Sequence, residues 1–284
     1  MDGGTFFYPN PLESDGKYKF NAEGTLVRQP WFGCACCPSN VSRFIPSLPG
    51  YIYAVKNNDL YVNLFMGNDA LLEVEGKKVT VSQSTDYPWN GDVKINISPR
   101  SKQTFTVKVR VPGWVQGQPV PSDLYTFADD KQLSCTVKVN GAPIKSVLDK
   151  GYFSISRLWK KGDVIEVHFD MEPRVVKAHK NVEADRNKIS IERGPIVYCA
   201  EWADNDFNIF NVLLNRKPEI TVENKPNLLS GIHQLKTTAQ LLSYDETGRL
   251  QVKDVTLSLI PYYAWNHRGS GNMAVWLTQN LNIN

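Results

Sequence analysis

Residues 104–111 read Thr-Phe-Thr-Val-Lys-Val-Arg-Val, with an apolar side chain at every second position. This period of two is typical of a β-strand that buries one face and exposes the other. The same alternation recurs in short runs from residue 50 onward, and Gly, Asn, Asp or Pro residues separate the runs. The sequence therefore predicts a mostly β protein built from antiparallel strands.

Neighbouring runs predict β-hairpins and further strands. Two pairs of runs flank short polar turns: Tyr51–Val55 with Leu60–Phe65, and Leu71–Glu75 with Val79–Ser82. Asn and Gly in such turns favour the backbone conformations that connect antiparallel strands. Further strands before Met171 are predicted at Asp92–Ile97, Thr104–Val111, Cys135–Val139, Tyr152–Ile155 and Asp163–Phe169.

A chain of 284 residues with 42% hydrophobic content is long enough for two cores of ordinary domain size. Met171–Val176 is interpreted as a crossover, and Gln116–Asp130 as a surface loop. Strands of a second set are predicted at Lys188–Glu192, Pro195–Tyr198, Gln251–Leu257 and Met273–Leu277. We therefore predict two β-sandwich, jelly-roll-like domains at residues 51–172 and 173–284.

The charge distribution argues against two classes of partner. The chain has 32 Lys and Arg residues against 29 Asp and Glu residues, a net charge of +3. No basic run is present, so we expect no nucleic-acid partner. No stretch approaches the roughly 18–20 consecutive apolar residues of a membrane span, and Met1–Asn10 lacks the pattern of an export signal. We expect no membrane partner, and the localisation stays open.

The first fifty residues break the β pattern. Val41, Phe44, Ile45 and Leu48 recur at helical spacing, which predicts a short amphipathic helix that Pro46 bends or ends. One helix cannot bury its apolar stripe alone, so a neighbouring element is expected to be missing. We expect the apolar side chains of this region to be exposed or covered by a second chain, which would allow homo-oligomers: Phe6, Phe7, Trp31, Phe44 and Ile45.

Three of the five cysteines, Cys34, Cys36 and Cys37, fall within four residues, which fits a disulfide framework badly. Pro38, at the first helical position, would place Cys37 at or beside the helix cap, where the positive end of the helix favours a thiolate. The residues alone leave a nucleophile, a metal ligand or structural thiols open. Cys135 and Cys199 lie in strand-like runs and are predicted to be buried and inert.

A zinc site needs about four N, S or carboxylate ligands, and no Cys-x-x-Cys pair or His-rich segment completes one here. The four histidines lie far from the cysteines in sequence, and we interpret them as surface or hydrogen-bonded side chains: His168, His179, His233 and His267.

Several sequence blocks resemble glycoside hydrolase family 127, the β-L-arabinofuranosidase family. The most specific is Cys36-Cys-Pro-Ser-Asn40, which follows Arg28-Gln-Pro-Trp-Phe32 and precedes Leu48-Pro-Gly-Tyr-Ile-Tyr53. The likeness continues along nearly the whole chain with Val109–Trp114, Trp159–Asp163, Glu192–Cys199, Ile260–Trp265 and Ala274–Trp276. These blocks follow the order of the family's carboxy-terminal part.

The resemblance implies an (α/α)6 barrel followed by two β-sandwiches, with residues 1–50 as the last piece of the barrel. It also implies retaining hydrolysis by a zinc-bound cysteine through a thioglycosyl intermediate. Carried over by position, Cys36 is the nucleophile and also a zinc ligand, and Cys37 is a second zinc ligand. Tyr8 and Asn10 lie in a segment that would line the substrate pocket. Cys34 receives no role.

The family's remaining zinc ligands, a Glu and a Cys, and its acid/base Glu would lie before the equivalent of Met1. We therefore expect zinc in the intact enzyme, an arabinose-containing glycan as substrate, and little or no activity from this chain alone. Two rival hypotheses remain. One is a non-catalytic β-sandwich module that binds carbohydrate or packs against another subunit, and the other is a redox or structural-zinc role for the cysteines.

Overall fold

The computed structural model describes every residue except Asp2, Ala35, Ser146 and residues 280–284. The described helices are α1 (Cys36–Ser47) and α2 (Pro49–Ile52). Short 3₁₀ turns occupy Ala22–Gly24, Glu183–Asp185, Trp202–Asp204, Ile209–Asn211 and Tyr262–Ala264. Neither α1 nor α2, nor any of these turns, is long and apolar enough to cross a membrane.

Most regular structure is β, as the alternation predicts. The strands up to Met171 are β1 (Glu13–Asp15), β2 (Tyr53–Lys56), β3 (Asp59–Val62), β4 (Asn68–Val74), β5 (Lys77–Thr85), β6 (Asp92–Pro99), β7 (Gln103–Arg110), β8 (Tyr125–Phe127), β9 (Cys135–Val139), β10 (Ala142–Pro143), β11 (Leu148–Asp149), β12 (Tyr152–Trp159) and β13 (Asp163–Phe169). The strands after Met171 are β14 (Pro173–Ala178), β15 (Lys188–Arg193), β16 (Ile196–Glu201), β17 (Val212–Leu214), β18 (Thr221–Lys225), β19 (Ile232–Tyr244), β20 (Leu250–Pro261), β21 (Asn272–Ala274) and β22 (Leu277–Thr278).

The chain divides into two compact units. The first unit comprises Met1–Ser39, Ser122–Asp130 and the residues from Glu172 onward. The second unit comprises Asn40–Pro121 and Lys131–Met171. Each unit thus combines segments that are separated in the sequence.

The second unit contains two sheets with strand orders β10-β9-β13-β6-β5-β4 and β11-β12-β7-β3-β2. All neighbours pair antiparallel except β3 and β7, which are parallel. Alternate residues of both sheets are buried, as in β7, where Phe105, Val107 and Val109 have no exposed surface. This one-sided burial is typical of a sandwich. Both predicted hairpins are confirmed, as β2 with β3 and β4 with β5.

The first unit is built on one sheet with the order β17-β19-β20-β16-β15-β14-β8. Further strands join it as pairs: β18 with β19, β22 with β15, and β21 with both β16 and β1. Through β1, residues near the amino terminus are hydrogen-bonded to the same sheet as residues near the carboxyl end.

Three local predictions were wrong. Met171–Val176 is not a crossover, because Pro173–Ala178 forms β14 and pairs with both β15 and β8. Gln116–Asp130 is not only a loop, because Tyr125–Phe127 forms β8. The strand predicted at Met273–Leu277 is split into β21 and β22, and between them the Val275 N–H donates to the Leu12 carbonyl at 2.9 Å.

The helix predicted before residue 50 is confirmed as α1, and its apolar stripe is exposed. Phe44 and Ile45 are 54% and 57% exposed, and Val41 and Trp31 are exposed as well. Phe7 departs from the expectation, because it is buried against the rings of Trp265 and Phe20.

A candidate thiol site

Cys34, Cys36, Cys37 and Tyr8 form a group that we call the thiol cluster. All three cysteines are exposed. Cys36 and Cys37 are the first two residues of α1, so Pro38 is the third residue of the helix and not the first. The two thiols therefore lie inside the first turn, where backbone N–H groups have no intrahelical partner and a negative charge is favoured.

The side chains of the cluster are in direct contact. Cys36 Sγ lies 3.2 Å from Cys34 Sγ and 3.7 Å from Cys37 Sγ. The Tyr8 hydroxyl donates to Cys34 Sγ at 3.2 Å and lies 3.1 Å from Cys36 Sγ. Cys36 is thus the centre of the cluster, with a neighbouring sulfur on each side and a phenol within hydrogen-bonding distance.

Tyr8 is held by residues that the sequence analysis did not identify. Its backbone N–H donates to Asn21 Oδ1 at 3.0 Å, and Asn21 is itself buried. The Asn21 amide also donates to the Val27 carbonyl, which joins the Tyr8 segment to the chain that leads into the cysteines. Asn21 precedes a short 3₁₀ turn and accepts from its first N–H, an arrangement that an Asn before a turn could have signalled.

The Tyr8 ring packs on Phe32. The two rings meet edge to face with centroids 5.5 Å apart, and Phe32 is only 1% exposed. Phe32 lies two residues before Cys34. The same buried ring therefore contacts Tyr8 and anchors the chain just before the cysteines. The arrangement is a packed one, not a chance meeting of surface side chains.

The hydrogen bonds of Tyr8 to Cys34, then to Cys36 and Cys37, raise the pKa of its hydroxyl well above the ordinary range. The phenol therefore stays protonated and acts as a donor towards sulfur. Burial acts differently on the two remaining cysteines: it raises the pKa of Cys135 to about 12 and that of Cys199 well above its usual value. Cys199 is fully buried and Cys135 half-buried, which agrees with their predicted inertness.

The distances within the cluster can be compared with those between zinc ligands. Zinc binds thiolates at about 2.3 Å in tetrahedral geometry, which places two ligand sulfurs about 3.8 Å apart. The 3.7 Å between Cys36 and Cys37 fits this distance, whereas the 3.2 Å between Cys34 and Cys36 is shorter. Among the described residues, no group of three or more His, Cys, Asp or Glu side chains is arranged to hold a metal ion by itself. Cys36 and Cys37 alone are spaced as two ligands of one zinc ion are spaced.

The other candidate residues lie outside the cluster. Asn10 is exposed, and the hydrogen bonds of the described thiol cluster do not involve it. Two of the histidines are hydrogen-bonded, as expected. His168 Nδ1 lies 2.7 Å from Asp92 Oδ1, and His179 Nδ1 accepts from the Asn181 N–H.

Three family sequence models match this chain in consecutive segments. The model of the β-L-arabinofuranosidase GH127 catalytic domain matches residues 1–50. The model of the β-L-arabinofuranosidase GH127 middle domain matches residues 59–171, and that of the glycoside hydrolase family 127 C-terminal domain matches residues 173–278.

The chain is also similar to whole proteins. The non-reducing end β-L-arabinofuranosidase of Bifidobacterium longum subsp. longum is 31% identical over 298 aligned positions, which cover 97% of this chain and 42% of that protein. A solved GH127 β-arabinofuranosidase is 58% identical with a TM-score of 0.92, over 98% of this chain and 43% of its own. A GH127 β-L-arabinofuranosidase from Geobacillus stearothermophilus T6 is 35% identical with a TM-score of 0.85 and the same coverage. This chain therefore spans about two fifths of the length of these relatives.

Proposed function

This chain belongs to glycoside hydrolase family 127, and we propose that it is the carboxy-terminal part of a retaining glycosidase whose nucleophile is Cys36. The observation that carries the proposal is the position of Cys36 Sγ. It is exposed in the first turn of a helix, 3.7 Å from a second thiol and 3.1 Å from a protonated phenol. A sulfur in this setting is poised for attack or for metal binding.

The reaction proposed for Cys36 is a double displacement. The thiolate attacks the anomeric carbon, a C–S bond forms, and the glycosidic C–O bond breaks as the leaving oxygen takes a proton from a general acid. Water then attacks the same carbon, loses a proton to the conjugate base of that acid, and releases the thiolate. Two inversions at one carbon give net retention, as in glycosidases whose nucleophile is a carboxylate.

Tyr8 is proposed to act on the sulfur in this sequence. Its hydroxyl is within 3.1 Å of Cys36 Sγ and stays protonated. In this structure that proton is directed at Cys34 Sγ. We propose that it turns to Cys36 Sγ when that sulfur is a thiolate, before attack and again when the thiolate departs. Zinc, when bound by Cys36 and Cys37 together with ligands from elsewhere, would keep the sulfur deprotonated. Asn10 stays a predicted substrate-binding residue.

The general acid and the remaining zinc ligands are proposed to come from polypeptide outside this chain. Two observations support this. The chain spans about two fifths of its relatives' length, and Val41, Phe44 and Ile45 form an exposed stripe on α1. An exposed apolar stripe of this kind is typical of a surface that another element covers. We propose that upstream polypeptide covers it, and a second copy of the chain is the alternative.

The substrate is proposed to be an arabinose-containing glycan from which a terminal β-L-arabinofuranose is released. The relatives from Bifidobacterium longum and Geobacillus stearothermophilus are β-L-arabinofuranosidases, which supports this class of sugar.

The test compares this chain with a version extended upstream by the missing length, both with zinc, on an aryl β-L-arabinofuranoside. The extended protein is expected to be active, and this chain to be at least about 100-fold slower because it lacks the general acid. Cys36→Ala in the extended protein is expected to lower kcat by about 10³-fold or more.

Cys135→Ala serves as the matched control, because this thiol lies in β9 and is expected to leave kcat unchanged. Substantial activity of the extended Cys36→Ala protein would eliminate the cysteine mechanism. Saccharide binding by this chain that is insensitive to Cys36→Ala, together with an inactive extended protein, would favour the non-catalytic module.

A further inference from the structure

An aromatic stack lies directly beside the thiol cluster. Phe7, the residue before Tyr8, stacks on the Trp265 indole with ring centroids 4.8 Å apart and an interplanar angle of 24°. Phe20 packs against both rings, with centroids 5.3 Å from Phe7 and 5.7 Å from Trp265. Trp265 is 2% exposed, so this stack belongs to the core of the first unit.

Arg28 ties the same segments together from a second side. Its Nε donates to the Trp265 carbonyl at 3.0 Å and its Nη2 to the Tyr263 carbonyl at 2.8 Å. The guanidinium carbon lies 4.7 Å from the centre of the Phe7 ring. The Arg28 guanidinium thus contacts the Phe7 ring and the carbonyls of Tyr263 and Trp265 at the same time. Lys cannot make this forked set of contacts.

The loop that carries Trp265 is braced in turn. The Asn266 N–H donates to Glu201 Oε1 at 2.7 Å, and the Asn266 amide donates to the Leu26 carbonyl at 3.0 Å. Glu201 is the last residue of β16, so the indole is fixed to the central sheet of the unit.

The backbone geometry connects this brace to Tyr8. Phe6 makes a two-way antiparallel bridge with Gln29, so the chain is extended at this point. Successive side chains of an extended segment point to opposite faces. Phe6 and Tyr8 both pack edge to face on Phe32, whereas Phe7 stacks on Trp265. Fixing Phe7 on one face therefore fixes the direction of Tyr8 on the other.

We propose that Trp265 is a positioning residue: by stacking on Phe7, it holds the Tyr8 hydroxyl against Cys36 Sγ. Trp265 itself does not touch the sulfur and acts through Phe7 and Tyr8. The inference rests on the proposed function only where it treats Cys36 as the nucleophile. The contact between the Tyr8 hydroxyl and Cys36 Sγ, which Trp265 is proposed to maintain, lies within this chain.

The test measures how fast iodoacetamide alkylates Cys36 in this chain, without zinc and at one near-neutral pH, in a Cys34→Ser/Cys37→Ser background. Tyr8→Phe is expected to slow alkylation by about fivefold, because the hydroxyl that contacts Cys36 Sγ at 3.1 Å is lost. Trp265→Leu is expected to slow it by a similar factor. In a Tyr8→Phe background, Trp265→Leu is expected to slow alkylation of Cys36 by less than about a further twofold, because both substitutions act through the Tyr8 hydroxyl.

Cys199 provides the internal control for folding. It is fully buried in the same unit, so its alkylation reports opening of the fold and not the position of Tyr8. Trp114→Leu removes a buried indole from the second unit and is expected to leave the Cys36 rate unchanged. If Trp265→Leu exposes Cys199, the Arg28→Lys variant is used in its place. This substitution keeps the positive charge and loses the paired hydrogen bonds to the Trp265 and Tyr263 carbonyls.

Three results would overturn the proposal. The first is an unchanged rate of Cys36 alkylation in Tyr8→Phe. The second is an unchanged rate in Trp265→Leu while Cys199 is still protected. The third is a Trp265→Leu effect of the same size with and without the Tyr8 hydroxyl, which would indicate a general structural role. None of these depends on glycosidase activity, so an inactive extended enzyme would refute the proposed function and leave this result standing.

Discussion

Cys36 Sγ lies 3.7 Å from Cys37 Sγ, although adjacent residues of a helix point in directions about 100° apart. Both sulfurs lie in the first turn of α1. The two sulfurs are therefore close together at the exposed start of the helix, with Pro38 directly after them.

Cys37→Ser is expected to weaken zinc binding of the upstream-extended protein by at least about tenfold, because a neutral hydroxyl replaces a thiolate ligand. The measurement is competition with a chromophoric zinc chelator. Cys34→Ser is the matched control, and its zinc affinity is expected to stay within about twofold of the parent. An equal loss in both proteins would make Cys34 a ligand.

The cysteines of the site could be predicted from sequence, and the residues that orient them could not. Cys36 and Cys37 are adjacent, precede a Pro and open an apolar helical stripe, which marked them as candidates, whereas only the resemblance to family 127 gave them distinct predicted roles. Asn21, Phe32 and Trp265 act through packing and hydrogen bonds that exist only in the folded unit. Trp265 in particular comes from the far end of the chain, and no local pattern connects it with Tyr8.

Glu192 gives the first unit a defined pH dependence. Burial raises the pKa of its carboxyl from an ordinary value of 4.5 to about 7, despite the opposing attraction of Arg174. A carboxyl whose pKa is higher in the folded state stabilises the fold below its unfolded pKa, and that contribution is lost as the pH rises through the folded value. Glu192→Gln is expected to be more stable than the parent at about pH 8, by on the order of 3 kcal/mol.

Urea unfolding followed by tryptophan fluorescence at several pH values tests the role of Glu192. The two proteins are expected to converge below about pH 3.5, where both side chains are neutral in the folded and unfolded states. Parallel stability curves across this range would show that Glu192 is not the titrating group.

Gly91 allows no side chain, because an added Cβ would lie 1.8 Å from the Phe169 carbonyl oxygen. Phe169 is in β13 and donates its own N–H to the Gly91 carbonyl at 3.0 Å, so neither strand segment is free to move away. Gly91→Ala is expected to destabilise the second unit by about 3 kcal/mol or more. Gly67→Ala meets only ordinary contact at 3.9 Å and is the control, with an expected change within about 0.5 kcal/mol. Equal urea midpoints would contradict this reading of Gly91.

Alternation predicted most strands that bury one face, and it failed at some segments where the burial does not alternate. In β7 every second side chain is buried, so the pattern was visible. In β14, Arg174, Val175 and Val176 are buried in succession, because neighbours cover both faces of the strand, and the segment was mistaken for a crossover. In β19 the alternation lapses at Leu241 and Leu242, where the outer part of the strand is only half-buried.

Arg268 compensates two carboxylates that water barely reaches. It donates to Glu201 Oε2 at 2.6 Å and to Asp204 Oδ1 at 2.8 Å, and Glu201 is 1% exposed. Burial already raises the pKa of Glu201, and Arg268 opposes this rise. Arg268→Met is therefore expected to lower the free energy of unfolding by about 3–5 kcal/mol at neutral pH, because both acids lose their cationic partner.

The loss of unfolding free energy in Arg268→Met is expected to become smaller as the pH falls towards the ordinary pKa range of carboxyl groups. Without Arg268 the folded pKa of Glu201 rises further, and a raised carboxyl pKa adds stability on the acid side. Lys225→Met, which breaks a partly exposed ion pair with Glu223, is the matched control and is expected to lose less than about 1 kcal/mol at every pH. Urea unfolding at about pH 5 and pH 8 separates the two, and a pH-independent loss in Arg268→Met would mean that the side chain contributes packing and not charge.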